Sequence, residues 1–447
     1  MAPAEPLTDN RAEGDQTEAD AVSVISGDED IEEDMGKDIP LPPEVKRGPE
    51  DEPFETLKHK ASHLILELFP GYCARDVKIE RMQDGEHNRF LSVTLCKIPP
   101  KAPWYTPQRI RELLQPCLTG RPARQNKRKR LVLRIPHNSD QPMHHQAAML
   151  AYLGLKLEYP VPKIVTFDAT ANNALGRSYM LQKRLPGQRL DVLWPTLNQA
   201  QRLSAVRAVA TVLLDVRKIR NKYPGLIGIR NTTYDLKNDF VTTEPTPIPR
   251  FRNTNHQVNF NVAIPEPQST KDFLLDLCAR QRAYATAAKQ PGGKEVWVRI
   301  AKVIETLHES GLILDSSPFH FYHGDFNARN LLASVTSESE IAITGVVGWD
   351  FALFAPAFMS TCAPFFLWSG NMGSEGEEGG ALVEPKEADL LEAKRAFESV
   401  VGEGFLKEAY SPALILARRL WRFLVNGFTN GADIFLAEEI VEEFEKL

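Results

Sequence analysis

Residues 323–332 read "HGDFNARNLL", a His-Gly turn followed by the carboxylate of Asp325 and, five residues on, the amide of Asn330. A carboxylate can take up a proton, and an amide oxygen suits a hard cation such as magnesium, which favours oxygen ligands and often draws only one or two from protein. Asp and Asn also cap turns without doing any chemistry. The spacing H-G-D-x-x-x-x-N fixes four residue types, and average composition would supply it in roughly one chain of this length in several hundred. About twenty residues later "GVVGWDFA" (345–352) adds Asp350, and far upstream "LVLRIP" (131–136) and "HHQAAMLAYL" (144–153) contribute Arg134 and Gln146. A guanidinium binds phosphate, often bidentately; the plainer readings are a snorkelling strand arginine and a solvated helix glutamine.

These residues need elements to position them. The spacing predicts a helix in "FETLKHKASHLILELFPG", then strands in "DVKIERM", "NRFLSVTL" and "KRLVLRIP", with a polar turn at Gly85 and a short helix in "TPQRIRELLQ" between them. A helix follows over "DQPMHHQAAMLAYLGLKL", then strands in "YPVPKIVTFDA" and "GRSYMLQKRLPGQRL". Beyond Leu190 the pattern is mainly helical, broken by two long surface loops at 229–268 and 369–387. The expectation is an α+β chain: an antiparallel-sheet lobe over 53–187, a larger helical lobe over 188–447 and a ligand cleft between them. Residues 1–52 are acidic and nearly free of aromatics, so they read as a disordered leader whose charge offers a protein partner a place to bind.

Composition narrows the functions. With 447 residues, 43% hydrophobic and 25% charged, the chain is long enough for a sizeable core. A net charge of −6 gives no overall pull toward nucleic acid, and "NKRKR" (126–130) reads as solvated surface at the entry to a strand. No apolar run reaches the roughly 20 residues of a membrane helix, which makes a cytoplasmic protein without membrane contact the expectation. Five widely spaced cysteines without a metal-binding pattern read as reduced thiols.

Taken together, "FYHGDFNARNLLASVTSESEIAITGVVGWDFALFAP", "DGEHNRFLSVTL", "LVLRIP", "HHQAAMLAYL", "YPVPKI" and "YMLQKRLPG" resemble, in order and spacing, the aminoglycoside phosphotransferase family, and particularly its fungal members. The resemblance implies a protein-kinase-like bilobal fold and transfer of the γ-phosphate of ATP or GTP, with magnesium, to a hydroxyl of a small molecule. It implies Asp325 as the base that receives the hydroxyl proton, His323 as a brace for the loop, and Asn330 as a magnesium ligand. It also places the nucleotide against Arg134, Gln146, Gly85, Asn88, Gln182 and Leu185.

Three positions depart from the family pattern. Gly348 stands where an aspartate would bind the second metal, which leaves Asp350, two residues on, as the replacement ligand. Arg134 replaces a lysine, and Gln146 replaces that lysine's glutamate partner. The alternative these departures raise is a pseudokinase that serves as a nucleotide-binding or scaffold protein. The substrate expectation is a hydroxyl compound, cationic if acidic residues of "GSEGEEGG" (373–380) and the rings of Tyr410, Trp368 and Trp421 line its pocket.

Overall fold

Alternating side chains in the N-terminal strands produce a sheet with two chemically different faces. The computed structural model describes residues 52–85, 88–97, 128–137, 143–229, 240–244, 268–287, 292–370 and 378–447. The helix expected near residue 110 and all of the acidic leader except Glu52 lie outside them. Glu52 itself belongs to the folded part: its carbonyl accepts from Arg89 at 2.7 Å and its carboxylate meets Lys60 at 2.7 Å.

Strands β1 (Val77–Arg81), β2 (Asn88–Leu95), β3 (Lys129–Pro136), β4 (Ile164–Asp168) and β5 (Tyr179–Lys183) form one antiparallel sheet in the order β1-β2-β3-β5-β4. Register sets what each face carries. Leu91, Leu133 and Leu181 are directly opposite one another, as are Val93 and Leu131. This face packs on helix α1 (Phe54–Leu68), whose Leu57, Ala61, Leu64 and Ile65 recur at helical spacing and are all buried. Burying one such leucine or isoleucine contributes about 1.5–3 kcal/mol, enough to fix the helix on that side. The other face carries Asn88, Phe90 and Ser92, then Arg134, then Met180 and Gln182. A one-residue slip would exchange the two sets.

Helix α2 (Met143–Lys156) lies on this second side, with Gln146 among its buried residues. Met180 joins α2 in the core of the second lobe, so one continuous apolar cluster crosses the lobe boundary. The crossing segment is tied down. Its β6 (Gln188–Arg189) pairs with β11 (Leu331–Val335), and Thr344 donates to the carbonyl of Pro186 at 2.8 Å. Gly187 has φ +89°, and a Cβ there would lie 2.7 Å from the carbonyl oxygen of Ala333, so this close crossing needs glycine.

In the second lobe, helix α3 (Gln199–Lys218) starts at a capping box in which Asn198 and Gln201 satisfy each other's backbone N–H groups. Strand β10 (Phe319–Tyr322) lies between β7 (Arg220–Asn221) and β13 (Leu353–Ala355), and β11 forms a hairpin with β12 (Ile341–Val346). Helices α4 (Thr270–Ala287), α5 (Gly293–Glu309), α6 (Ala388–Ala409), α7 (Pro412–Asn426) and α8 (Gly431–Glu445) complete it. The two-lobed α+β architecture is therefore present.

Both long loops need correction. The first contains β9 (Phe240–Glu244), which pairs with β8 (Leu226–Ile229). The second contains a 3-10 turn over Glu378–Leu382 that buries Ala381. Neither segment has the hydrophobic period of its element, because one is a short hairpin and the other a single turn. No helix among the described residues is long and apolar enough to cross a membrane.

Candidate active site

Strand β10 ends at Tyr322 and delivers His323 into the core. The His323 ring is buried; its Nδ1 accepts from the N–H of Asp325 at 3.2 Å, and its Nε2 bonds the carbonyl of Val347 at 2.9 Å. An accepting Nδ1 leaves the proton on Nε2, so the imidazole is neutral. Burial depresses its pKa to about 4, and the ring centroid lies 4.3 Å from that of Trp349. His323 thus links the backbone of Asp325 to that of Val347 as a neutral ring. Gly324 turns the chain with φ +81°, where a Cβ would lie 2.5 Å from Phe351.

Asp325 is held from both sides. One carboxylate oxygen accepts from Asn327 Nδ2 at 2.6 Å; the other accepts from Asn330 Nδ2 at 2.8 Å, which also bonds the Asp325 carbonyl at 2.8 Å. Asn327 in turn caps the 3-10 turn over Ala328–Asn330 by accepting from Arg329 N at 3.0 Å. Two amides therefore fix one carboxylate. Asn327 was missed at the level of sequence, although its place two residues after Asp325 is that of a typical turn-capping Asx residue.

The turn after β12 differs from the metal site the sequence suggests. Gly348 has φ +76°, and a Cβ there would lie 2.5 Å from Asn330 Cγ and 2.7 Å from Nδ2. The Asn330 amide fills the space that a side chain at 348 would occupy. Asp350, the expected replacement ligand, is engaged elsewhere through one oxygen. Its Oδ1 takes the Arg134 guanidinium and, at 3.0 Å, Gln146 Nε2, while Arg134 bonds Gln146 Oε1 at 2.8 Å. In this conformation Asp350 is an arginine partner, because Arg134 is almost wholly buried and Gln146 brings no charge to balance it. With Asp350 Oδ1 on Arg134 and Gln146, the expected magnesium pair of Asn330 and Asp350 is not assembled in this conformation. Among the described residues no cluster of three or more His, Cys, Asp or Glu could hold a metal ion.

The remaining expected contacts divide. Arg134 and Asn88 share the cleft-side face of the sheet, and each has a buried polar atom without a hydrogen bond, Arg134 Nε and Asn88 Oδ1. Gly85 donates to the Asn88 carbonyl at 2.9 Å, so the turn expected there forms. Gln182 is buried with its amide on Met180 Sδ at 2.9 Å, and Leu185 packs on Gly345, where a Cβ would lie 2.5 Å from Leu185 Cδ1. Leu185 therefore belongs to the seam between lobe and hairpin, and Gln182 turns toward its own strand.

On the other side of Asp325 is a cavity of about 250 Å³ lined by Tyr322, Asp325, Phe326, Cys362, Phe365, Phe366 and Glu378, among others. Of these, sequence singled out Asp325 and, within the acidic run, Glu378; Cys362, Phe365 and Phe366 come from a separate segment. Of the acidic run only Glu378 and the glycines after it are described, and Glu378 is ion-paired with Arg418. Arg418 also donates to the carbonyls of Phe358 at 3.1 Å and Ala409 at 2.8 Å. The aromatic residues follow the plain-core reading and not the pocket one: Trp368 and Trp421 are buried in the helical core, and the Tyr410 hydroxyl is bonded to Glu398 at 2.9 Å.

A profile of the phosphotransferase enzyme family matches residues 123–359, just over half of the chain. No curated protein matches it. Among solved structures, a thermostable mutant of aminoglycoside phosphotransferase APH(4)-Ia in ternary complex with AMP-PNP and hygromycin B is similar at 15% identity and a TM-score of 0.44, covering 87% of this chain and 98% of that one. The GDP and kanamycin complex of APH(2")-IIIa is similar at 11% identity and a TM-score of 0.42, covering 86% and 98%.

Proposed function

The chain belongs to the phosphotransferase enzyme family, and from that premise we propose that it moves the terminal phosphoryl group of a nucleoside triphosphate, ATP or GTP, to a hydroxyl of a small molecule. The observation that carries this reading is Asp325, fixed by Asn327 and Asn330 on the wall of a cavity. Phosphoryl transfer asks mainly for positioning and charge neutralisation, with a base for the proton that leaves the acceptor. Asp325 takes that proton. Arg134 meets the phosphates once they displace Asp350 from it, since a guanidinium pairs with phosphate as readily as with carboxylate.

A second reading draws support from the same turn. Gly348 offers no ligand and Asp350 neutralises Arg134, as in a kinase-like protein that no longer transfers phosphate. Nucleotide turnover with a panel of small alcohols separates the two. The transfer reading expects product formation that falls at least about 100-fold in Asp325→Asn, the lower end of what a general base contributes. Nucleotide binding with no transfer to any acceptor, or full activity in Asp325→Asn, overturns it in favour of the second.

A further inference from the structure

The cavity beside Asp325 has a chemical character of its own. Resting on the transfer reading, we propose that its acceptor is a compact, uncharged alcohol with a flat apolar body, whose hydroxyl is held by Tyr322 and presented to Asp325.

Size comes first. At about 250 Å³ the cavity lies below the roughly 300–1,000 Å³ of sites that take drug-sized ligands. Its walls are Phe326, Met359, Pro364, Phe365 and Phe366, which suit a ring or a short chain.

Charge comes second. A polyamine acceptor needs carboxylates facing it. Among the described residues the lining carboxylates are Asp325 and Glu378, and Glu378 is neutralised by Arg418, whose side chain is 2% exposed. Arg217 lines the cavity, held by both Glu408 oxygens at 2.9 Å, and Arg329 lines it too. Glu378 and Arg217 are thus each matched within the protein, and the described wall offers an ammonium group no pair of convergent carboxylates.

Tyr322 supplies the third argument. It closes β10, lines the cavity, and makes no hydrogen bond from its hydroxyl to any described residue. Burial pushes the phenol above its ordinary range, so it remains protonated and can donate to an alcohol oxygen. The alcohol then donates its own proton toward Asp325. In the step itself the alcohol oxygen bonds the terminal phosphorus, the bond from that phosphorus to the bridging oxygen breaks, the nucleoside diphosphate leaves, and the hydroxyl proton passes to Asp325.

The test uses the full-length chain with benzyl alcohol, 2-phenylethanol, choline and kanamycin as probes. Binding is read by saturation-transfer NMR, and nucleoside diphosphate formation is read with ATP and with GTP. The two aromatic alcohols are expected to bind and to accept phosphate, choline and kanamycin to do neither. Tyr322→Phe should raise KM for the alcohol about tenfold while kcat falls less and nucleotide affinity stays where it was. Binding of choline or kanamycin in preference to the alcohols, absence of binding by all four, or an unchanged KM in Tyr322→Phe overturns the proposal. If the alcohols bind yet no phosphate is transferred from either nucleotide, the transfer reading fails while the cavity assignment holds; transfer to kanamycin alone gives the reverse.

Discussion

Asp350 and Arg134, 216 residues apart in sequence, form an ion pair that ties the sheet lobe to the turn after β12, with Gln146 bonded to both. The pair is mostly buried, at 8% side-chain exposure for Arg134 and 18% for Asp350. The pattern that this chain resembles balances the cation at 134 with a glutamate at 146. Here the glutamate has become an amide, and the balancing carboxylate comes from the other lobe.

Moving that charge back is the sharpest test of the relationship. Asp350→Asn leaves a buried guanidinium without its counter-ion and should cost about 3 kcal/mol in urea unfolding. Adding Gln146→Glu to it should recover most of the loss, because the new carboxylate lies within reach of the same guanidinium. A double variant no more stable than Asp350→Asn would mean that the pair is incidental.

Restoring the family's aspartate at 348 is expected to fail. Gly348→Asp puts a Cβ at φ +76°, 2.5 Å from Asn330 Cγ. The left-handed backbone and the overpacking together should cost about 3 kcal/mol. No magnesium-dependent rise in melting temperature should accompany it, since the Asn330 amide already occupies the space. A stable variant whose melting temperature climbs with millimolar magnesium would show that the turn can open into a metal site.

How far the sequence reveals this site depends on the range of each interaction. Period-2 alternation makes the sheet faces legible, and H-G-D-x-x-x-x-N makes Asp325 and Asn330 legible, because both signals are local. The partner of Asp350 is not legible. Two-residue spacing from Gly348 suggests a shared direction, but the choice between a metal and Arg134 depends on where a strand 216 residues away brings its guanidinium. The cavity is legible only in part: the acidic run that holds Glu378 is expected at the substrate pocket, whereas Cys362 and Phe365 arrive from a segment that no local signal ties to Asp325. Trp368 and Trp421 take the plainer of their two readings, as core, because an aromatic ring in the helical lobe is more often buried packing than a ligand wall.

His323 and His320 make stability depend on acid. Burial lowers both to about 4, and Arg217 and Arg220 add to the effect at His320, whose Nδ1 is buried without a partner. The unfolded chain, near 6.5, binds these protons first, so stability is full above about pH 6.5 and falls as pH drops toward 4. Each histidine contributes a slope of up to about 1.4 kcal/mol per pH unit in that window. Urea unfolding between pH 4.5 and 8 should show a shallower loss in His323→Gln than in the parent chain. Proton NMR should find neither ring titrating above pH 5; a midpoint near 6.5 for His323 would contradict its enclosure.

Arg418 carries the wall of the cavity beside Asp325, and its fork is the reason. One guanidinium meets the Glu378 carboxylate and the carbonyls of Phe358 and Ala409, each from a different segment. Arg418→Met strands a buried carboxylate and unpaired carbonyls, and should cost about 3–5 kcal/mol. Arg418→Lys keeps the charge but replaces a planar fork with a point donor that cannot reach all three acceptors, so it should recover only part of that loss. Adding Glu378→Gln to Arg418→Met removes the stranded charge and should return some stability without rebuilding the wall. Urea unfolding of the four proteins gives the order parent, lysine variant, double variant, methionine variant. A methionine variant as stable as the parent would mean that Glu378 reaches solvent, and with it the cavity would regain an acidic group for a cationic acceptor.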